Sequence, residues 1–494
     1  MDLLIGDVFR SAARAVPERV AVVHDGASLR FAELEDRAQA MAGALRAAGV
    51  GPRDRVAVWS NSHLEVAPLF AALAHLGAAF APVNPALSPD EASPIVASAR
   101  PSALVVDDAH ARDGAGVAAP GCAILDLSTL AQARSPAGGE PERQSARVSE
   151  HDPHVVFFTS GTTGRPKGVV LSHRVNFLRT FTGALVEPRG ALVCPYPLFH
   201  MGAWTLALQQ WQARDRVVFV APDPVAICDA IEEHRATRIN CIPAVWRRVL
   251  DLLASPAGAT RDVSTVRFAD SGTSATPVEL LDAIAGALPN AQVRVFYGST
   301  EAGNVSCLED ADRHRKPGSC GVPAPGAEVR LDEHGELWTR GPVLFDGYFG
   351  DPEATAAVMR DGWFRTGDLA EVDAEGYLSI VGRARDLIRT GGESVAPLEV
   401  EQALAGHPDV ADLAVVGMPD VEWGEVVCAV VVLRDGAVPP SVADLRDRCR
   451  GSLAAYKHPR RVEVVDAIPR SESNGKTRRT LLVAQLSSRP VAAR

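Results

Sequence analysis

Lysine is the scarce residue of this chain: Lys167, Lys316, Lys457 and Lys476 stand against 46 arginines. Arginine serves wherever any positive charge will do, so a retained lysine points to a place that needs a compact ammonium on a flexible stem. An excess of positive charge is also missing. A formal net charge of −11 excludes nucleic acid as the main partner, although an acidic protein can still hold a nucleotide through a small local cationic site. No apolar run approaches the roughly 18 residues of a membrane span, and no basic-then-apolar leader opens the sequence. A cytoplasmic protein without a membrane span is expected. The 8 cysteines, Cys122 through Cys449, contain no C-x-x-C pair and no metal-ligand spacing, which argues against structural zinc and for reduced thiols.

What is present is a globular composition, 47% hydrophobic and 22% charged, in 494 residues. That length exceeds one ordinary core, so two or more domains are expected. The pattern predicts helices over 3–15, 31–48 and 63–76, a hairpin over 20–24 and 29–30, and strands over 55–59 and 103–106. Residues 107–150 read as a surface connection rich in Gly, Ala, Pro and Ser. Alternation then resumes, with helices over 174–185, 204–212, 224–234 and 245–253 and strands over 217–220, 239–242 and 293–296. Short Gly-rich strands over 328–331, 336–339, 369–372 and 378–381 predict a small β-rich part. A final α/β unit follows: helix 397–405, strands 410–417 and 426–433, helix 442–453. The fold class expected is α/β: a large N-terminal domain (1–383) of α/β subdomains plus the β-rich part, hinged to a smaller α/β C-terminal domain (384–494).

Five stretches carry candidate chemistry. T-S-G-T-T-G-R-P-K-G, from Thr159 to Gly168, lies between two apolar runs. Its glycines let successive N–H groups point inward as an anion nest, and Lys167 adds a point charge suited to phosphate. The plain alternative is a Gly/Thr hairpin. It lacks the G-x-x-x-x-G-K-[ST] spacing of an NTPase phosphate loop. Tyr297-Gly298-Ser299-Thr300-Glu301 follows a strand, where α/β sheets place ligands. It offers an aromatic face, hydroxyls and a carboxylate able to help hold Mg²⁺; a Tyr-Gly turn is the alternative. Asp368, after Thr366-Gly367, can accept from a vicinal diol such as ribose or cap its own turn. Gly382-Arg383-Ala384-Arg385-Asp386, before Gly391-Gly392, suits either a hinge or a solvated linker. The loop from Pro469 to Lys476 presents its lysine after Gly475.

Taken in order, these stretches resemble the signatures of the adenylate-forming superfamily, acyl- and aryl-CoA synthetases among them. K-P-G-S-C-G-V-P-A-P-G from Lys316, G-Y-F-G-D-P-E-A-T from Gly347 and G-G-E-S-V-A-P-L-E-V-E from Gly391 extend the match to nearly the whole chain. The resemblance implies a two-step ligase using ATP, Mg²⁺ and coenzyme A on a small carboxylic acid. Thr159, Ser160, Gly161, Thr162, Thr163, Gly164 and Lys167 would hold the β- and γ-phosphates. Tyr297, with Gly298 and Ser299, would hold adenine. Thr300 would contact the α-phosphate, and Glu301 would bind Mg²⁺. Asp368 would take the ribose hydroxyls with Arg383 beside it, and Lys476 would bridge the carboxylate and α-phosphate.

Arg385 matches the hinge position, and Arg389 and Gly391 are candidates for the thioester step. Phe199-His200-Met201-Gly202 matches the segment that lies between acyl pocket and thiol channel in acyl-CoA ligases, with His200 in a catalytic role. Amino-acid-activating relatives carry an aspartate where His200 stands. Met201, Gly202, Trp204, Gly272, Ala302 and Gly303 join Phe199 as acyl-pocket candidates, and Trp423-Gly424-Glu425 has the CoA-ligase form. The chain departs from the pattern at Ser271–Thr276, which lacks the usual proline, and in a loop one residue longer before Lys476. Lys316 implies a structural role, and Lys457 either touches CoA phosphates or packs. Two rival readings are a stand-alone acyl-AMP ligase that loads an acyl carrier protein, and a non-catalytic nucleotide sensor.

Overall fold

The computed structural model describes residues 2–134, 148–159, 166–390, 393–450, 452–471 and 475–488. The chain packs as two compact units: residues 1–317, 323–328 and 340–364 form the first, and 318–322, 329–339 and 365–494 the second.

The first unit holds two predominantly parallel sheets with helices against them. One runs, in spatial order, Gly303–Leu308, Gln292–Ser299, Phe268–Gly272, Arg238–Cys241, Leu192–Cys194, Val217–Phe219, Val20–His24 and Ala27–Arg30. The other runs Gly347–Tyr348, Lys167–Ser172, Pro153–Thr159, Ala79–Val83, Arg55–Trp59, Ala103–Val106 and Ala123–Asp126. Parallel strands require crossovers, and the amphipathic helices Ile5–Ala15 and Phe31–Ala47 and the nearly apolar Val66–Leu76 cover the faces. Every residue of Val66–Leu76 is buried, including its one polar side chain, His75, whose ring nitrogens meet Glu35 and Arg10 at 2.9 Å each. Aromatic rings fill the space between layers: Phe70 stacks on Trp204 with centroids 4.1 Å apart and meets Phe80 edge-on at 5.3 Å.

Several expectations are corrected here. Residues 107–150 are not only a connection: Ala123–Asp126 pairs in parallel with Ala103–Val106, and Leu127–Ala131 is helical. Ala79–Val83 is a buried central strand and Pro89–Ala99 a helix, neither expected. The Tyr297 strand extends through Ser299, so Tyr297 and Gly298 pair with Ser306 and Asn304 in a ladder rather than turning.

Trp363–Val372 runs as one strand, and its residues from Asp368 onward, in the second unit, pair antiparallel with Leu378–Arg383. Asp368 therefore sits within a strand, not after a turn. Gly367 takes φ +76°, which favours glycine, and the register slips between Leu369 and Ala370. A separate sheet orders Glu393–Val395, Ile388–Thr390, Gly424–Leu433 and Val410–Asp420, with Arg461–Val464 parallel to Gly424–Leu433. The helices Pro397–Leu404, Val442–Cys449 and Arg479–Ser487 pack on it around Val400, Leu445 and Leu482.

Candidate active site

The Gly-rich stretch joins an antiparallel pair. Thr159 is opposite Lys167, and Phe158 opposite Gly168; Ser160, Gly161, Thr162, Thr163 and Gly164 lie outside the described residues. The outgoing strand is pinned from its far side by Gly347–Tyr348, where Tyr348 pairs with Val169 and Phe349 N donates to Gly168 O at 2.7 Å. Gly168 is crowded there: a Cβ would lie 2.9 Å from Val156 Cγ1 and 3.2 Å from Phe349 Cβ. The Lys167 ammonium hangs 4.9 Å over the Tyr348 ring, a cation–π contact that holds the charge without neutralising it.

Tyr348 also links this loop to the second cluster. Its hydroxyl donates to Glu301 Oε1 at 3.0 Å, and burial, then the neighbouring Glu301 charge, pushes its pKa up. Among the described residues Glu301 Oε2 makes no hydrogen bond. One oriented carboxylate with a spare oxygen fits Mg²⁺, which takes one or two protein carboxylates and completes its shell with phosphate and water. Among the described residues no three His, Cys, Asp or Glu side chains group as a metal cage.

The backbone of Thr300 and Glu301 is held by Arg179, from helix His173–Val186. Its guanidinium donates to Thr300 O (3.0 Å), Glu301 O (2.9 Å) and Val343 O (2.8 Å). Burial lowers the Arg179 pKa to about 10, opposed by Asp346 and Glu301. Phe345 N donates to the same Glu301 oxygen at 2.8 Å, and Ser172 N donates to Asp346 Oδ2 at 2.6 Å. The sequence reading missed Arg179 and Asp346 and saw Tyr348 only within its motif. Gly303, at φ +70°, lies where a Cβ would meet Arg179 Nε at 3.0 Å, so Gly303 clears space for the guanidinium.

His200, whose N–H donates to Pro197 O at 3.0 Å in a turn, stands at the N-terminus of helix Met201–Gln212 with its own backbone extended and its side chain not capping the helix. Phe199, His200, Met201 and Gly202 are all partly accessible, and Met201 Sδ lies 3.3 Å from Arg179 Nη1. Trp204 is not a pocket surface: it is 2% exposed, stacks on Phe70 and donates its indole N–H to Leu198 O at 2.6 Å. Ala302 is likewise buried at 2%. Gly272 closes its strand where a Cβ would come 2.7 Å from Phe296 O. The segment after it, lacking the usual proline, places Thr273 at φ +69° and pairs the Ser271 and Thr276 hydroxyls at 2.9 Å.

The second unit carries the remaining candidates. Asp368, 4% exposed, pairs with Arg383, Nε to Oδ1 at 2.9 Å, so the expected neighbours do meet. Arg385 lies 3.5 Å from Asp386, and Asp386 is itself held by Arg479, which also pairs with Glu401 at 2.6 Å. Arg389 N donates to Glu425 Oε2 at 2.7 Å, which ties the thioester-step candidate to the Trp423-Gly424-Glu425 turn; Gly391 lies outside the described residues. Lys457 is ion-paired with Glu399, so it packs against helix Pro397–Leu404. Lys476 is exposed on a loop closed by the Arg470–Thr477 bridge, with Ser471 N donating to Lys476 O at 2.8 Å. Arg470 fixes the loop's base on Asp412 at 2.6 Å and reaches Gly475 O at 3.2 Å.

Among the described residues no helix is long and apolar enough to cross a membrane. The chain matches the model of the AMP-binding enzymes over residues 9–349 and that of the AMP-binding enzyme C-terminal domain over 399–476. It is 36% identical to a feruloyl-CoA synthase of an Amycolatopsis species, over 93% of this chain and 95% of that one. It is 33% identical to an indoleacetate–CoA ligase of Aromatoleum aromaticum, over 94% of each. Among solved structures it superposes on ATP-bound MatB of Rhodopseudomonas palustris with a TM-score of 0.87 at 28% identity, covering 99% of both chains. The chain belongs to the adenylate-forming, AMP-binding enzyme family and is a ligase of its acyl/aryl-CoA branch.

Proposed function

We propose that the protein activates a small carboxylic acid with ATP and transfers the acyl group to coenzyme A. A carboxylate oxygen attacks the α-phosphorus, the bond to pyrophosphate breaks, and an acyl-adenylate forms. A thiolate then attacks the acyl carbon and AMP leaves. The observation that supports this best is the tie between the Gly-rich loop and the Thr300–Glu301 segment through Tyr348. It is the grip a nucleoside triphosphate needs at its phosphates.

In this reading Lys167 and the loop residues Thr159 to Gly164 hold the β- and γ-phosphates, Tyr297 stacks on adenine, and Thr300 contacts the α-phosphate. Mg²⁺, held on Glu301, would neutralise phosphate charge. Attack of an anion on a polyanion needs positive charge where the phosphoryl oxygens gain it, and Lys476 supplies it. A thiol must later reach the same carbon, so a C-terminal domain hinged near Arg385 delivers Lys476 for the first step and withdraws it for the second, when Arg389 and Gly391 serve the thiol. His200 lies between the acyl pocket and the thiol path. The names of the relatives span aryl, cyclic and long-chain fatty acids, the first two more often, and aryl or cyclic acids are the class to test first.

The test is pyrophosphate release across short, long, aromatic and polycyclic acids, with and without coenzyme A. Acyl-CoA formed from at least one acid is expected. Adenylate without any acyl-CoA would favour a carrier-protein thiol as acceptor, and ATP binding without turnover on any acid would refute ligase activity.

A further inference from the structure

Among the described residues the strand Val410–Asp420 pairs only with Gly424–Leu433, so its other edge carries backbone groups that no strand satisfies. At Val415 two side chains take the place of a neighbouring strand. Val415 N donates to Glu401 Oε1 at 2.8 Å, and Val415 O accepts from Arg479 Nε at 3.1 Å. The two side chains also meet each other, with Arg479 Nη2 donating to Glu401 Oε1 at 2.6 Å. The remaining corner of the guanidinium, Nη1, donates to Asp386 Oδ2 at 3.3 Å. One planar fork joins the strand edge, helix Pro397–Leu404 and the residue that follows Arg385. Its donors point in fixed directions, which the single ammonium of a lysine cannot copy. All of these residues lie in the second unit.

Arg479 is also the first residue of helix Arg479–Ser487, whose Leu482 and Leu486 share one apolar cluster with Ala414, Val416 and Met418 of that strand. Lys476 stands three residues earlier, a reach of at most about 10 Å. The other end of the Lys476 loop is fastened to the same strand, where Arg470 pairs with Asp412 at 2.6 Å. Those two side chains are 37% and 40% exposed, so water screens their attraction. Arg479, Asp386 and Glu401 are between 17% and 24% exposed, which makes Arg479 the firmer anchor. The thioester-step candidate is held in another way: Arg389 N donates to Glu425 Oε2 at 2.7 Å and its guanidinium donates to the Ser394 hydroxyl, contacts that do not involve Arg479.

We propose that Arg479 is a positioning residue for adenylate formation, a role that rests on the ligase reading above. By gripping Asp386 it makes the segment after Arg385 part of the body that carries Lys476, so a rotation at Arg385 reaches the ammonium undiminished. Without that grip the backbone just after Arg385 takes up part of the rotation, and the Lys476 loop keeps only its anchor at Arg470. The loss falls on the step that needs Lys476 in place, because a shift of about 1 Å at a reacting centre costs on the order of 100-fold in rate. The step that follows its withdrawal is spared. A residue that only held the C-terminal sheet together would weaken both steps alike.

The experiment measures two half-reactions in the full chain, with the acid of the panel above that the wild type turns over fastest: carboxylate-dependent pyrophosphate exchange, and conversion of the supplied acyl-adenylate and coenzyme A to acyl-CoA. The variants are Arg479→Ala, Arg479→Lys and Asp386→Ala, each checked for folding by urea denaturation. Arg479→Ala is expected to lower the exchange kcat by roughly 100-fold, with KM for ATP within about twofold of wild type and thioester formation within a few-fold. Arg479→Lys, which keeps the charge but not the fork, should fall between. Asp386→Ala leaves the Glu401 and Val415 contacts in place and should show the same one-sided loss at roughly 10-fold; it decides the matter if Arg479→Ala fails to fold. Equal loss of both half-reactions, or exchange by Asp386→Ala within about twofold of wild type, overturns this inference and leaves the ligase reading intact. Wild-type exchange with none of the acids overturns the ligase reading, and this inference with it.

Discussion

Replacing Arg179 with alanine should damage both stability and adenylation, and the two losses can be separated. The guanidinium donates to three backbone carbonyls, those of Thr300, Glu301 and Val343. A hydrogen bond with one charged partner contributes about 1.5–3 kcal/mol. Three made by one group are not additive, and Arg179 is only half-buried, so truncation is expected to cost about 2–3 kcal/mol in all. Phe345 N remains on the Glu301 oxygen, so that carbonyl stays satisfied while those of Thr300 and Val343 lose their donor. The freed Thr300–Glu301 backbone would let the carboxylate on Tyr348 drift, and a shift of about 1 Å at a reacting site costs on the order of 100-fold in rate. Arg179→Lys keeps the charge but not the planar fork and should fall between. The assay pairs urea denaturation with pyrophosphate release under conditions where each variant is fully folded. A folded Arg179→Ala protein within about threefold of wild-type kcat/KM would refute the claim that this arginine sets the geometry of Thr300 and Glu301.

Other perturbations follow from buried charge. Asp270→Asn leaves Arg238 and Arg294 with Glu187 as their remaining carboxylate partner, so a loss in urea denaturation below the roughly 3–5 kcal/mol of a wholly unpaired buried charge, about 2–3 kcal/mol, is expected; a loss below about 1 kcal/mol would show the cluster to be water-relaxed. Burial lowers the His173 pKa from 6.5 to about 4 and holds that of His154 well below its ordinary value. The unfolded chain then binds more protons between those values, so stability is full above about pH 6.5 and falls as pH drops toward 4, by up to roughly 3 kcal/mol from His173. A urea midpoint unchanged between pH 8 and pH 5 would contradict this.

Much of the architecture was legible because β-branched runs such as Arg55–Trp59 and Ala103–Val106 are clean strand signals bounded by turns. Ala79–Val83 escaped because it is alanine-rich and carries Pro82, which ordinarily demotes a central strand. Asp368 was misplaced for a local reason: Thr366-Gly367 reads as a turn, yet Gly367 uses its positive φ inside a continuing strand. At the site, scarcity drew the eye to the lysines. Arg179 was hidden by abundance, one arginine among 46, on a helix with no clear apolar face to orient it. Its role depends on carbonyls more than a hundred residues away in sequence, and backbone carbonyls leave no mark in residue identity. Trp204 shows the converse error, since an aromatic next to a functional segment turned out to be core.

The central claim, a ligase whose first step depends on Lys476, is tested most directly by separating the half-reactions of Lys476→Ala. Adenylate formation, followed by carboxylate-dependent pyrophosphate exchange, is expected to fall by at least roughly 100-fold. Conversion of supplied acyl-adenylate and coenzyme A to acyl-CoA should stay within a few-fold of wild type. Equal loss of both half-reactions, or an unchanged first one, would contradict the account.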